Sequence, residues 1–462
     1  MKTKVSLVAA AVALAVGSQA FAFGPTTVPD ITINVGGGSA QGGAFLAFAE
    51  KLMTTGFDVY TDSACGTQGA NYRAVFGTIS SAALPNGQPM PANLVGKKLY
   101  ITYANNGGTF KNGIDGLVRS HPIDVQQFLN NSTACPAGSA TQFTVTNAAL
   151  TVTNVPLIGL SDEEISLFSG VNVPSGSTAI KASELTNVTQ QPIYENVFGI
   201  AINSLLAAQK TNFTKAEVTA IYNGTYSDWS QLTNAAGNPL PAGAITFIDR
   251  AAGSGSKAAF NQYFLNNPGS NASGGSIPPN VIATSKGNCG APATHGSNSY
   301  DNVTGGDCAQ SSNGNVKAGL NNANTAGVRA LGILGLEFQP GASDHYSFAS
   351  LNGTAVQGTT SKNCGNAVAN AFDPDNVTSG AYDLFFTNSL QFRNADHTGT
   401  GTNKTFIDAF LAVATDPATE VSVPGVMLDP LVVGGPSGAP YDDCITKGTH
   451  NGNSQAPLQL QF

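Results

Sequence analysis

Four times along this chain an apolar, strand-length run opens into a short polar loop and then into a helix-patterned stretch. The first unit is Ile31-Thr32-Ile33-Asn34-Val35, then Gly36-Gly37-Gly38-Ser39-Ala40-Gln41-Gly42-Gly43, then a helix from Ala44 to about Met53. The second is Lys98 to Tyr103, then Asn105-Asn106-Gly107-Gly108-Thr109, then an amphipathic stretch through Val118. In the third, Val155 to Leu160 precedes Ser161-Asp162-Glu163-Glu164, which opens a helix. The fourth runs Ala244 to Ile248, then Arg250 to Ser256, then a helix through Leu265. Strands alternating with helices predict α/β domains with mostly parallel sheets. Ligands of such sheets sit outside the carboxyl ends of the strands, where all four loops fall.

The fourth loop carries the most chemistry. A Gly-rich turn into a helix leaves backbone N–H groups unpaired, with the positive end of the helix dipole behind them. That makes an anion site. Ser254 and Ser256 add hydroxyl donors around Gly255, and Arg250 adds a permanently charged fork suited to two oxyanion oxygens. The segment is not a nucleotide-type P-loop, because Ser256-Lys257-Ala258 lacks the Gly-Lys-[Ser/Thr] ending. Nor is it a Gly-x-Ser-x-Gly nucleophile elbow, since Ala252 and Ser256 hold the outer positions.

The N-terminus bears on compartment. Lys2 and Lys4 precede an apolar run from Val5 to Val16, which ends in Ala20-Phe21-Ala22. This is the pattern of a cleaved secretory signal over residues 1–22, too short for a membrane span. A periplasmic or secreted, membrane-free product is expected. The six cysteines agree, being even in number with no Cys-x-x-Cys pair. Cys289–Cys308 is the first pairing expected, because the loop between them is rich in Gly, Asn and Ser; Cys65–Cys135 and Cys364–Cys444 follow by elimination. The net charge of −8 and the absence of a basic tract disfavour nucleic acid. Polar stretches around Cys135 and from Asn266 to Asn315 read as surface insertions, and Gly353 to Asn403 is loop-rich.

The stretch from Ile245 through Arg250-Ala251-Ala252-Gly253-Ser254-Gly255-Ser256 to Phe260 resembles the Arg-x-x-Gly-Ser-Gly-Thr segment of the periplasmic phosphate-binding proteins of phosphate ABC transporters. Phe198 to Asn203 is similar to their strand crossing into the second domain, and Phe213 to Trp229 to their helix and following turn. Order and spacing match across residues 194–265, and more loosely across 31–340. The resemblance implies a two-domain type II binding-protein fold, with domain I formed by 27–195 plus 346–462 and domain II by 196–345. It also implies phosphate, or a related oxyanion, as ligand between them. Ser39, Ala40 and Gln41 would form the first phosphate loop, with Ala40 at the position of a hydroxyl. Either Asn106 or Thr109 would contribute from the second. Asp162, in Gly159-Leu160-Ser161-Asp162, resembles the family's acceptor for the proton of hydrogen phosphate; its plain alternative is a residue of a capped first helical turn. Arg250, Ser254, Gly255 and Ser256 would bind from the fourth loop. An acidic residue usually stands two positions after the Arg in that family, whereas this chain has Ala252.

No cofactor is expected, and the five histidines show no metal-ligand spacing. The resemblance implies a monomeric solute-binding protein, not an enzyme, working with an ABC permease. A secreted phosphatase and an extracellular adhesion protein on the same scaffold are the alternatives. Trp229 is expected to pack at a helix end.

Overall fold

The computed structural model describes residues 23–65, 71–135, 142–267, 310–356, 375–432, 444–450 and 458–460. The signal-like segment and Cys289, Cys308 and Cys364 lie outside these residues.

The first three units share one sheet. Ile31–Gly36 is its pivot, pairing in parallel with Lys98–Ala104 from Ile31↔Leu99 to Gly36↔Ala104, and with Ile158–Ser161 on its other side. Because the three strands are parallel, their carboxyl ends emerge on one edge, and the polar loops emerge with them. The strand Ile158–Ser161 is buried at every position, as expected where a parallel strand is covered on both faces. The helix Gly42–Lys51 packs across the sheet beside Thr402–Ala414. Phe45, Phe48, Phe406 and Phe410 are fully buried between them.

Sixteen residues, Val188–Asn203, carry the sheet into a second core. The first half pairs antiparallel with Phe385–Arg393, and the register shifts between Pro192 and Glu195, where proline has no N–H to give the ladder. The second half pairs with Ala330–Gly335 and Tyr346–Leu351, and Thr246–Ile248 joins in parallel beside Ala330–Gly335. One hydrophobic cluster accordingly runs from Ile33 to Tyr194 and resumes from Leu390 to Val426. Another holds Val197, Phe198, Phe247, Phe260, Leu331 and Phe386. Trp229, 1% exposed, packs in this second cluster, as its sequence context suggests.

Several expectations need correction. The resemblance implies that 346–462 belongs to the first domain, yet Ala349, Leu351, Val377, Tyr382 and Leu384 pack in the second cluster. No helix opens at Ser161. The Glu163 N–H donates to Ser161 Oγ at 3.3 Å in a local turn, Glu164 is extended, and the chain next makes only a 3₁₀ turn at Ile165–Leu167. Ile165 and Leu167 fix that turn by burying beside Phe110, Ile114 and Phe168. The stretch after the second loop is a π-helical segment, Thr109–Asp115, running into Gly116–Val118. The polar region before Val155 is not mere surface loop, because Gln142–Val145 extends the main sheet beside Asp58–Thr61 and Ser132–Ala134. Cys65 and Cys135 form a disulfide there, as expected, and Cys444 is disulfide-bonded too. Among the described residues no helix is long and apolar enough to cross a membrane.

Candidate functional site

The four loops meet at one buried place. Gly38 is its floor. The Gly38 N–H donates to Gln41 Oε1 at 3.0 Å, and Gln41 Nε2 donates to Asn388 Oδ1 at 2.9 Å, tying the loop to the strand Phe385–Arg393. The Tyr103 hydroxyl donates to the Gly38 carbonyl. A Cβ on Gly38 would stand 2.6 Å from Asp162 Oδ1 and 2.8 Å from Gln41 Oε1, so only glycine fits.

Thr109 bridges the two cores. Its hydroxyl donates to Asp162 Oδ1 at 3.1 Å and accepts from the Gly255 N–H at 3.2 Å. One residue on, the Phe110 N–H donates to the Gly253 carbonyl at 2.9 Å. Gly253 needs its glycine, with φ at +89° and its N–H given to the Asn172 carbonyl at 2.9 Å. Ser254 then caps the helix Gly255–Leu265, its hydroxyl accepting from the Lys257 N–H at 3.4 Å. Ser256 lies inside the first turn and donates to Asp162 Oδ2 at 3.3 Å.

Arg250 stands two residues beyond the strand Thr246–Ile248 and is 2% exposed. Nε donates to the Gln310 carbonyl at 3.3 Å. Nη1 donates to Ser256 Oγ at 3.3 Å and to Asn313 Oδ1. Nη2 reaches Ser39 Oγ and the Ser311 carbonyl, both at 3.4 Å. Ser39 also accepts from the Asn313 N–H at 3.4 Å. Beside Arg250, Asp249 is paired with Lys257 in a buried ion pair.

Burial dominates the electrostatics. It pushes the Asp162 carboxyl up from the usual range, against the pull of Arg250 and the hydrogen bonds of Gln41 and Thr109. It lowers Arg250 to about 10, opposed by Asp162, Glu337 and Asp249. Arg250 remains a cation at neutral pH.

The structure thus brings together Ser39, Thr109, Asp162, Arg250, Gly255 and Ser256, with Gln41 behind Gly38 and Ser254 as the helix cap. Ala40 is buried at the start of the first helix and has no hydroxyl to offer. Asn106 stands apart: it is exposed, and its Oδ1 accepts from Asn112 Nδ2 at 2.8 Å. Sequence reasoning missed Asn313 and Glu337. The first had a signal, because Ser312 precedes Val316, Leu320 and Ala323 at helical spacing, and its hydroxyl caps Asn313–Thr325. That second helix start also faces Arg250. Glu337 had only the weak mark of an acid just after an apolar strand.

Chemically, the group offers a cationic fork, three hydroxyls, one backbone N–H and one carboxylate that accepts. Such a set suits an oxyanion that carries a proton of its own. Elsewhere, His121 is held by Asp115 and His397 by Asp408. Among the described residues, no group of three or more His, Cys, Asp and Glu is arranged to hold a metal ion.

A two-domain α/β protein whose loops gather buried charged and hydroxyl groups at one place is the class that this fold and site define. The family model described as PBP superfamily domain matches residues 166–412, a little over half of the chain. The chain belongs to that superfamily, a class of solute-binding proteins. Among curated proteins none matches. Solved structures resemble it distantly. A Clostridium perfringens protein assigned as a phosphate ABC transporter substrate-binding protein, with bound phosphate, is 13% identical; the match covers 82% of this chain and 92% of that one, with a TM-score of 0.42. PstS from Borrelia burgdorferi is 15% identical over 82% and 91%, with a TM-score of 0.34. A phosphate binding protein from Stenotrophomonas maltophilia is 14% identical over 79% and 80%, at 0.36. Likenesses this distant say nothing of the ligand, and membership rests on the family match alone.

Proposed function

We propose that this protein captures inorganic phosphate, or a similar tetrahedral oxyanion, between its two lobes and presents it to an ABC-type permease. The observation that carries the reading is the buried opposition of Arg250 and Asp162, with the Ser256 hydroxyl bonded to both. Arg250, the hydroxyls and the Gly255 N–H supply donors. Asp162 can only accept when ionised, so it favours a ligand with a proton to give and disfavours fully ionised sulfate. Arsenate satisfies the same chemistry. Closure of the lobes removes water, which strengthens each of these contacts.

The signal-like N-terminus supports export to the periplasm or the medium, where a single copy would act without membrane insertion. The lobes are proposed as 27–195 with the C-terminal segment, and 196 onward. The packing of Ala349, Leu351, Val377, Tyr382 and Leu384 with the second core favours a return to the first lobe near Ser389. Binding is favoured over hydrolysis because Ser254 is engaged as a helix cap and both assigned histidine–carboxylate contacts lie outside the cradle. Equilibrium dialysis with radiolabelled phosphate tests the reading. Saturable retention displaced by arsenate but not by sulfate is expected; no retention by ligand-free protein overturns it. Release of phosphate from a generic phosphomonoester would support the hydrolase instead.

A further inference from the structure

We infer that Glu337 is a positioning residue for Arg250, acting through the side-chain amide of Asn313. The inference rests on the reading of Arg250 as the oxyanion's principal partner. Asn313 is a two-ended group, donating from Nδ2 and accepting at Oδ1. Nδ2 donates to Glu337 Oε1 at 2.9 Å, while Oδ1 accepts from Arg250 Nη1. Reversing the amide would set its oxygen against the Glu337 acceptor and its NH₂ against the guanidinium, losing both bonds. The network therefore fixes the orientation, and Glu337 is the acceptor that holds its NH₂ end.

Both ends are held in place by backbone. Asn313 begins the helix capped by Ser312, and its N–H is given to Ser39 Oγ. Glu337 follows the strand Ala330–Gly335 in a turn where the Leu336 N–H donates to the Val197 carbonyl at 2.9 Å. Two glycines make room for it. A Cβ on Gly335 would come 2.7 Å from Glu337 Cδ, and one on Gly425, whose φ is +78°, would come 2.6 Å from the Glu337 nitrogen. Its second oxygen, Oε2, is buried without a hydrogen-bond partner, which is unfavourable.

The charged and titratable groups facing Glu337 are Asp162, Arg250, Tyr194 and Tyr346. Burial, with Asp162 adding to it, pushes the carboxyl up to about 7, while its own backbone N–H, Asn313 and Arg250 pull it back. A proton on Oε2 leaves Oε1 free to accept from Asn313, so the amide keeps its orientation on either side of neutrality.

Phosphate affinity and the Arg250 Nε–Hε resonance of the ligand-free protein, read by NMR, test this together in four proteins. Glu337→Met removes the acceptor at similar size; it is expected to weaken inorganic phosphate roughly ten-fold and to broaden the Arg250 signal. Glu337→Gln, which keeps one acceptor, should stay within about three-fold of wild type. Asn313→Asp combined with Glu337→Met presents Arg250 with an acceptor that needs no orienting, at unchanged net charge, and should recover affinity and a sharp signal. The inference is overturned if Glu337→Met changes neither readout, or if the double variant is no better than Glu337→Met while thermal melting shows all four folded. Failure of wild type to bind phosphate would defeat the functional reading, and the Arg250 resonance would then decide the relay alone.

Discussion

Ser256 Oγ stands 3.3 Å from Asp162 Oδ2, although the two residues are 94 positions apart and belong to different lobes. The same hydroxyl accepts from Arg250 Nη1, so one small group links the cation and the carboxylate that define the cradle. The arrangement depends on strand order, because Asp162 follows a strand of the first sheet while Ser256 opens a helix of the second lobe.

Asp162→Asn separates charge from shape. The amide keeps the size and removes the repulsion of a fully ionised oxyanion. The preference for phosphate over sulfate is expected to fall at least about ten-fold, equal to ~1.4 kcal/mol, whatever the change for phosphate alone. Competition dialysis reads it; unchanged preference would remove Asp162 from the specificity argument.

Arg250→Met deletes the fork and leaves Asp162 without its cation. Phosphate affinity should fall by about a hundred-fold or more. The ligand-free protein should also lose about 3 kcal/mol of stability at pH 8 through the uncompensated buried carboxylate. The loss should shrink as pH falls, because burial raises that carboxyl above its ordinary range, and urea denaturation across pH measures both.

Gly38→Ala tests the cradle's shape. The added methyl meets Asp162 and Gln41 oxygens at 2.6 and 2.8 Å within the same lobe, so the first loop cannot keep its place against Asp162. Phosphate binding should be lost while the melting temperature moves by only a few degrees. Retained binding would mean that the loop gives way.

Ligand-free stability should decline as pH rises from about 5 towards 8. Asp162, Glu337, Glu195, Glu420 and Asp429 all have carboxyls raised by burial. Between the ordinary range and the raised value the native state holds more protons than the unfolded chain, so stability falls with pH through that window. For Glu337 the window closes near its value of about 7. Glu184, held down to about 2 by Arg119, acts the other way but only below the ordinary carboxylate range. Urea midpoints in buffers free of oxyanions measure the slope; a midpoint rising from pH 5 to 8 would contradict it.

The disulfide Cys65–Cys135 closes a separation of 70 residues, beyond the ends of Asp58–Thr61 and Ser132–Ala134 and outside the cradle. Replacing both cysteines by serine should cost about 4 kcal/mol of stability and leave phosphate affinity within about two-fold of wild type.

Much of this was legible in the chain. Gly36–Gly38, Thr109, Asp162 and Arg250–Ser256 each follow a strand of the expected position, because Gly-rich turns, a capping serine and apolar runs are local signals. What was not legible is long-range. Asn313 bonds Arg250 across 63 positions and Glu337 lies 24 further on, so neither contact has a local pattern. The helix expected at Ser161 fails because Ile165 and Leu167 gain more by burying against Phe110 and Phe168 than by continuing a turn. The resemblance returns the chain to the first domain from residue 346, while Leu351, Val377 and Leu384 pack in the second core, a contact with no local pattern.

The central claim is that Arg250 and Asp162 face one protonated oxyanion. Isothermal titration of ligand-free protein with phosphate and, separately, with sulfate at pH 7 tests it most directly. A single saturable phosphate site with sulfate at least about a hundred-fold weaker is predicted, a gap of ~2.7 kcal/mol. No heat from phosphate, or equal affinity for sulfate, would contradict the account.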